Sequence, residues 1–351
     1  MLKSFMRIEQ ISFTRFIAAI SIVIYHYAIQ LFPENQTFII NVFNHANVGV
    51  SYFYILSGFV MIVAYGNYEK IDAKTFYINR FARIYPIYLI SLILISIVYL
   101  FSNQFNDLLG FVLNFFVIQA WVPGNAIKFH GQSWSITVEF FFYVIFPYLF
   151  TKIYKQYNYK KIFFIVLIIW MGSQLVFNIL INTSFYTELP SKSHDFLFYF
   201  PLMHLNEFLV GNFLGIYFLK NKHIRNYDLI IVILFLILIT ILNYPLGLNY
   251  HNGLLAVVFA PLIYFISLNN GMITKAFNNK HLIHLGEISY GIYILQYPVF
   301  LWTSSFNKHF HLITNKTFSF LFGFTILIIS ASLSYRYFEV PIRNKIKYLF
   351  K

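Results

Sequence analysis

The sequence predicts an all-α polytopic membrane protein of about ten transmembrane helices, with both termini cytoplasmic and a central polar tunnel. Three observations predict it. Of 351 residues, 59% are hydrophobic and 11% charged, with a mean hydropathy of +0.67, whereas a soluble domain carries about 25% charged residues. Long apolar runs recur between short polar breaks. The basic residues crowd onto one set of those breaks.

In hydrocarbon the backbone must satisfy its own hydrogen bonds, so apolar runs of this length are helices. They cover residues 11–32, 48–66, 84–102, 134–151, 162–182, 196–219, 229–245, 252–268, 286–305 and 317–338. A shorter apolar piece, 108–122, is expected to be re-entrant or interfacial. With the N-terminus inside, 20 of the 25 Lys and Arg residues fall on cytoplasmic segments. Four (Lys128, Lys192, Lys308, Lys316) fall outside, and Arg15 lies within a span. That is the positive-inside pattern. It accounts for the net charge of +13 without nucleic acid. The first segment carries Arg15 and no small-residue cleavage site follows it, so it is expected to be a retained helix. No repeat or linker interrupts the chain, and 1–351 is expected to be a single membrane domain with no appended soluble domain. The absence of cysteine excludes disulfides, thiolate nucleophiles and Cys metal sites.

A charge in hydrocarbon costs about 2.5–3.5 kcal/mol on insertion scales, so the intramembrane polar residues are the candidates for chemistry. Arg15 and His26 are eleven apart and share a helix face, about 16 Å apart along the axis. Either they snorkel and pack singly, or both line a polar interior. Arg80 and Arg83, at i,i+3, project to one side near the cytoplasmic end of the third span. They serve as positive-inside anchors or as a fork for phosphate. Glu139, one turn after Ser135, is an intramembrane carboxylate at the expected depth of His26. It either orients the imidazole or bonds a neighbouring helix. Gly49, Ser51, Ser57 and Gly58 suit close helix packing. His204 and Glu207 line the same interior or simply pair. His309/His311 and His281/His284 lack a third ligand at metal spacing, so no metal is expected. Ten spans with interior charges also suit a transporter of a sugar or small acid.

Several short stretches together carry a resemblance: Arg15/His26 as R-x10-H, YFYILSGF at 52–59, R-x-x-R-I-x-P at Arg80–Pro86, S-W-S-x-x-x-E at Ser133–Glu139, LGEISYGIYILQYPV at 285–299 and SYRYFEVPIR at 334–343. In this order, over nearly the whole chain, the sequence resembles the membrane-bound acyltransferase family 3, bacterial O-acyltransferases of cell-surface sugars. The resemblance implies a ten-helix core in the bacterial cytoplasmic (inner) membrane. It implies acyl transfer from acyl-CoA, usually acetyl-CoA, to a hydroxyl of a cell-surface or lipid-linked glycan. It makes His26 the central catalytic residue, with Arg15 and Glu139 beside it and Arg80, Arg83 and Arg15 on the donor. Ser57, Gly58, Trp134 and Ser135 fall at tunnel or structural positions. Two residues depart from the family pattern. Gln296 stands where a histidine is common and cannot titrate near neutral pH, and Tyr54 replaces a more usual phenylalanine.

Overall fold

A computed structural model describes residues 8–245, 247–311 and 313–349. Among them the named elements are all helical, with one isolated bridge between Arg225 and Asn269. Each of the ten apolar segments carries a principal helix: α1 Ser12–Tyr27, α2 Gly49–Tyr65, α3 Ala73–Phe101, α4 Trp134–Leu149, α5 Tyr159–Ile181, α6 Leu205–Lys220, α7 Asp228–Asn243, α8 Ala256–Leu268, α9 Lys280–Phe310 and α10 Lys316–Ser334. Six helical stretches among the described residues are long and apolar enough to cross a membrane, those bearing α2, α3, α4, α5, α6 and α10. Helices α7 and α8 are apolar but shorter.

Several boundaries differ from expectation, each for a local reason. Helix α3 begins eleven residues before the apolar run, because Asp72 Oδ2 accepts the Thr75 N–H at 3.1 Å and caps it there. Arg80 and Arg83 therefore stand inside a helix rather than at its start. The sixth segment is broken: a short helix Lys192–Phe198 gives way to a 3-10 turn Pro201–His204 before α6. Pro201 has no N–H to continue an α-helical ladder. The piece 108–122 holds only the eight-residue helix Leu108–Phe115, capped by Asp107, and a turn Gln119–Trp121. At 1.5 Å per residue it is about 12 Å long, too short to cross.

Close crossings between helices hold the bundle together. A Cβ on Gly58 of α2 would lie 2.3 Å from Phe208 O of α6. One on Gly211 would lie 2.0 Å from Ile55 O. These glycines let two backbones touch, the small-residue device of membrane helix pairs. Gly286 does the same for α9 on α1, where its Cβ would lie 2.0 Å from Ser12 O. Beside the α2–α6 seam, Phe142 of α4 stacks on Phe208 at 4.5 Å. The seam thus fixes α2, and α4 leans on it. Together with α1, α3 and α9, helices α2 and α4 surround an interior space.

Candidate active site

That space is a cavity of about 100 Å³, reached by Arg15 of α1, Ser57 of α2, Arg80 and Arg83 of α3, Ser135 and Glu139 of α4, and Tyr290 and Tyr293 of α9. The i,i+3 spacing of the two α3 arginines aims both into it, as does that of the two α9 tyrosines. The Arg80 guanidinium stands 5.3 Å from the Phe76 ring centre, 5.5 Å from Tyr143 and 5.9 Å from Tyr65. Such an aromatic box fixes a cation's position. Its Nε is buried without a hydrogen-bond partner. Tyr143, one turn beyond Glu139, donates to Glu139 Oε1. Three guanidinium groups and one carboxylate thus share a small space, which leaves a net cationic site for an anion or a polarised carbonyl.

The first turn of α4 is held by a buried polar network. Ser133 Oγ donates to Asn114 Oδ1 at 2.6 Å, and Gln119 Nε2 donates to Ser133 O at 2.9 Å. This ties the loop before α4 to the helix Leu108–Phe115. Ser133 is therefore a strut, whereas Ser135, two residues on, stands at the cavity and meets the Tyr293 hydroxyl at 2.7 Å. Trp134 turns away and packs on Tyr199 at 4.8 Å and His204 at 5.3 Å.

The expected residues are brought together unevenly. Arg15, Arg80, Arg83, Glu139, Ser57 and Ser135 meet at the cavity. Gly58 faces α6 and serves the helix crossing. His26, at the far end of α1, is exposed, rests its ring against Tyr25 and Tyr27, and does not line this cavity. Glu139 bonds Tyr143 of its own helix. His204 and Glu207 form a fully buried pair, Nδ1 to Oε2 at 2.8 Å, away from the cavity lining. His204 Nε2 donates to Phe198 O at 2.9 Å and His251 Nε2 to the same carbonyl at 2.7 Å. The helix break at Pro201 leaves the Phe198 carbonyl free for both imidazoles.

Sequence reasoning missed Tyr143, Tyr290 and Tyr293. The Glu139–Tyr143 spacing of four was the one available signal. It also missed His130, whose Nε2 meets Ser91 Oγ at 2.7 Å and whose ring lies over Tyr297 at 5.5 Å. His130 and His251 both lie outside the spanning helices. Burial holds both imidazoles far below the usual range, at about 3.

Apolar helices around a buried cationic cavity define a multi-pass membrane protein with an interior site of net positive charge. The chain belongs to the acyltransferase family, whose acyltransferase domain matches residues 8–336. It is 24% identical to the O-acetyltransferase OatA of Staphylococcus aureus, over 98% of this chain and 60% of that protein. It is 32% identical to the acyltransferase MdmB of Streptomyces mycarofaciens, over 40% of this chain and 38% of that protein. The chain thus spans less than two thirds of the length of either relative. No solved structure matches it.

Proposed function

We propose that the protein is an O-acyltransferase of the bacterial cytoplasmic (inner) membrane. It moves an acyl group, acetyl first among them, from cytoplasmic acyl-CoA to a hydroxyl of a cell-surface or lipid-linked carbohydrate. The convergence of Arg15, Arg80, Arg83 and Glu139 on one cavity carries this proposal. Acyl-CoA is an anion with a slim pantetheine arm. Guanidinium forks bind phosphate bidentately. A space of about 100 Å³ suits the slim pantetheine arm and not the nucleotide. The nucleotide then stays at the mouth formed by Arg80 and Arg83, and Arg15 lies along the arm.

His26 lies on the Arg15 face of α1, about 16 Å further out. There it acts as general base: neutral imidazole takes the acceptor hydroxyl proton as the oxygen attacks the thioester carbonyl. The carbon–sulfur bond breaks, and the proton passes from the imidazolium to the departing CoA thiolate. An imidazole suits this work near neutral pH. Glu139, steadied by Tyr143, offsets part of the guanidinium charge. The similarity to the O-acetyltransferase OatA supports an acetyl donor and an oxygen acceptor.

The test is turnover of labelled acetyl-CoA by purified protein in nanodiscs with a cell-surface glycan. Alkali-labile acetyl ester appears on the glycan. His26→Ala lowers the rate by about 10²–10⁴-fold, the usual worth of general base catalysis. Full turnover in a correctly inserted His26→Ala protein removes the general-base assignment, and no ester with any glycan removes the proposed activity.

A further inference from the structure

A second cavity lies beyond the first, and Gln132, itself in neither lining, belongs to the layer of side chains between them. The second encloses about 490 Å³ and is lined in part by Tyr27, Tyr297, Phe300, Ser304 and Lys316. Gln132 touches both walls. Its backbone oxygen accepts from Ser135 Oγ and from the Tyr293 hydroxyl, each at 3.1 Å, and both residues stand at the first cavity. Its Nε2 donates to the Tyr27 hydroxyl at 3.4 Å, and Tyr27 stands at the second. Tyr27 itself lies flat on Phe300, 4.0 Å away.

The layer is unsatisfied in a telling way. Gln132 is 7% exposed, and its Oε1 is buried without a partner. Gln296 of α9 lies between Tyr293 and Tyr297 in the chain, fully buried. Its Nε2 donates to Tyr293 O at 2.8 Å, and its Oε1 is likewise unpartnered. A bare buried carbonyl is unfavourable and calls for a functional explanation. The backbone of Gln132 is bound firmly, but its amide is tied by one long hydrogen bond, near the limit for such contacts.

We propose that Gln132 is the partition between the two cavities. It closes the arginine-lined cavity against water from the far side, and its size limits the acyl group that crosses. The acyl-passage half rests on the acyl-transfer function proposed above; the seal follows from the two cavities alone. A thioester kept from water until an acceptor arrives avoids hydrolysis.

The chain has no cysteine, so single Ser57→Cys and Ser304→Cys variants report each cavity separately. A membrane-impermeant methanethiosulfonate reagent is added to sealed vesicles of either orientation. Ser304→Cys reacts from one face and Ser57→Cys only from the other. Adding Gln132→Ala lets the reagent reach Ser57→Cys from the Ser304 face at least about tenfold faster, because the excluding side chain is gone. Gln132→Asn, one methylene shorter, gives a smaller increase and serves if the alanine variant fails to insert. Equal labelling of Ser57→Cys from both faces with Gln132 intact overturns the seal. So does labelling unchanged by either substitution.

The second arm measures acetyl-CoA hydrolysis without acceptor, and the preference for acetyl over butyryl donor. Gln132→Ala raises the first and relaxes the second. Unchanged hydrolysis and preference overturn the acyl-passage half. Should the wild-type protein neither transfer nor hydrolyse acetyl-CoA while the labelling pattern holds, the acyl-transfer proposal falls and the seal stands.

Discussion

Replacing Gly211 with alanine tests the packing that shapes the cavity. The added Cβ would lie 2.0 Å from Ile55 O, 2.8 Å from Ile55 C and 3.0 Å from Phe59 N. All three are backbone atoms of α2, so no side chain can swing aside. Ordinary contact begins at 3.4 Å, so α2 and α6 must part by more than an ångström. Overpacking of this kind costs about 1–3 kcal/mol, set against a gain of roughly 0.5–1 kcal/mol for alanine over glycine within a helix. The two ranges leave a net loss of up to about 2.5 kcal/mol, and a clash of backbone on Cβ that no side chain can relieve belongs at the upper end. Gly58→Ala meets Phe208 O from the opposite helix at 2.3 Å. The double variant should lose less than the sum of the singles, because helices already parted accept the second methyl more easily. The assay is thermal unfolding in one detergent at one protein concentration. Gly211→Ala melting with the wild type, or strictly additive losses, would refute the claim that the two backbones touch. Because α2 also carries Ser57 to the cavity, turnover should fall along with stability.

Other outcomes follow from the same geometry. Arg80→Lys keeps the charge but loses the planar fork. A lost charge-assisted hydrogen bond of about 1.5–3 kcal/mol should raise KM for acetyl-CoA by about 10–150-fold with a smaller change in kcat. A fall in kcat at constant KM would instead remove Arg80 from donor binding. Acidification should destabilise the protein through His130 and His251. Their folded-state pKa of about 3 lies below the ordinary value of 6.5, so the unfolded chain binds the extra protons. Their contribution is complete above pH 6.5 and is lost as pH falls from there toward 3. Melting temperatures between pH 7.5 and pH 5.5 should fall less steeply in His130→Asn than in the wild type (about 6.5 being the free imidazole value). Parallel slopes would show that His130 does not titrate on unfolding.

The helices were legible because lipid leaves the chain so few options. The stretch 229–239 is wholly apolar, and only a helix satisfies its backbone in lipid. The unexpected breaks have small, local causes that a hydropathy window averages away. Asp72 extends α3 by three turns through a single cap. Pro201 interrupts an otherwise apolar run and so creates the buried His204–Glu207 pair. Neither residue changes mean hydropathy enough to be seen in it.

The candidate site divides along the same line. Relations within one helix are written in spacing: Arg80 with Arg83, or Glu139 with Tyr143. Relations between helices are not. Ser135 meets Tyr293 across 158 positions, and Gln132 meets Tyr27 across 105. A shared helix face does not fix burial: Arg15 enters the cavity, while His26, on the same face, ends exposed beyond it. Gln296 shows what the third dimension adds. By sequence it is only a departure from a histidine common in the family. In the fold it stands with Gln132 in a dividing layer where each presents an unpartnered carbonyl. An amide there accepts hydrogen bonds at every pH, whereas an imidazole would change its charge and its hydrogen-bonding with acidity. The substitution therefore fits a role in closing the passage, and leaves proton transfer to a residue beyond it.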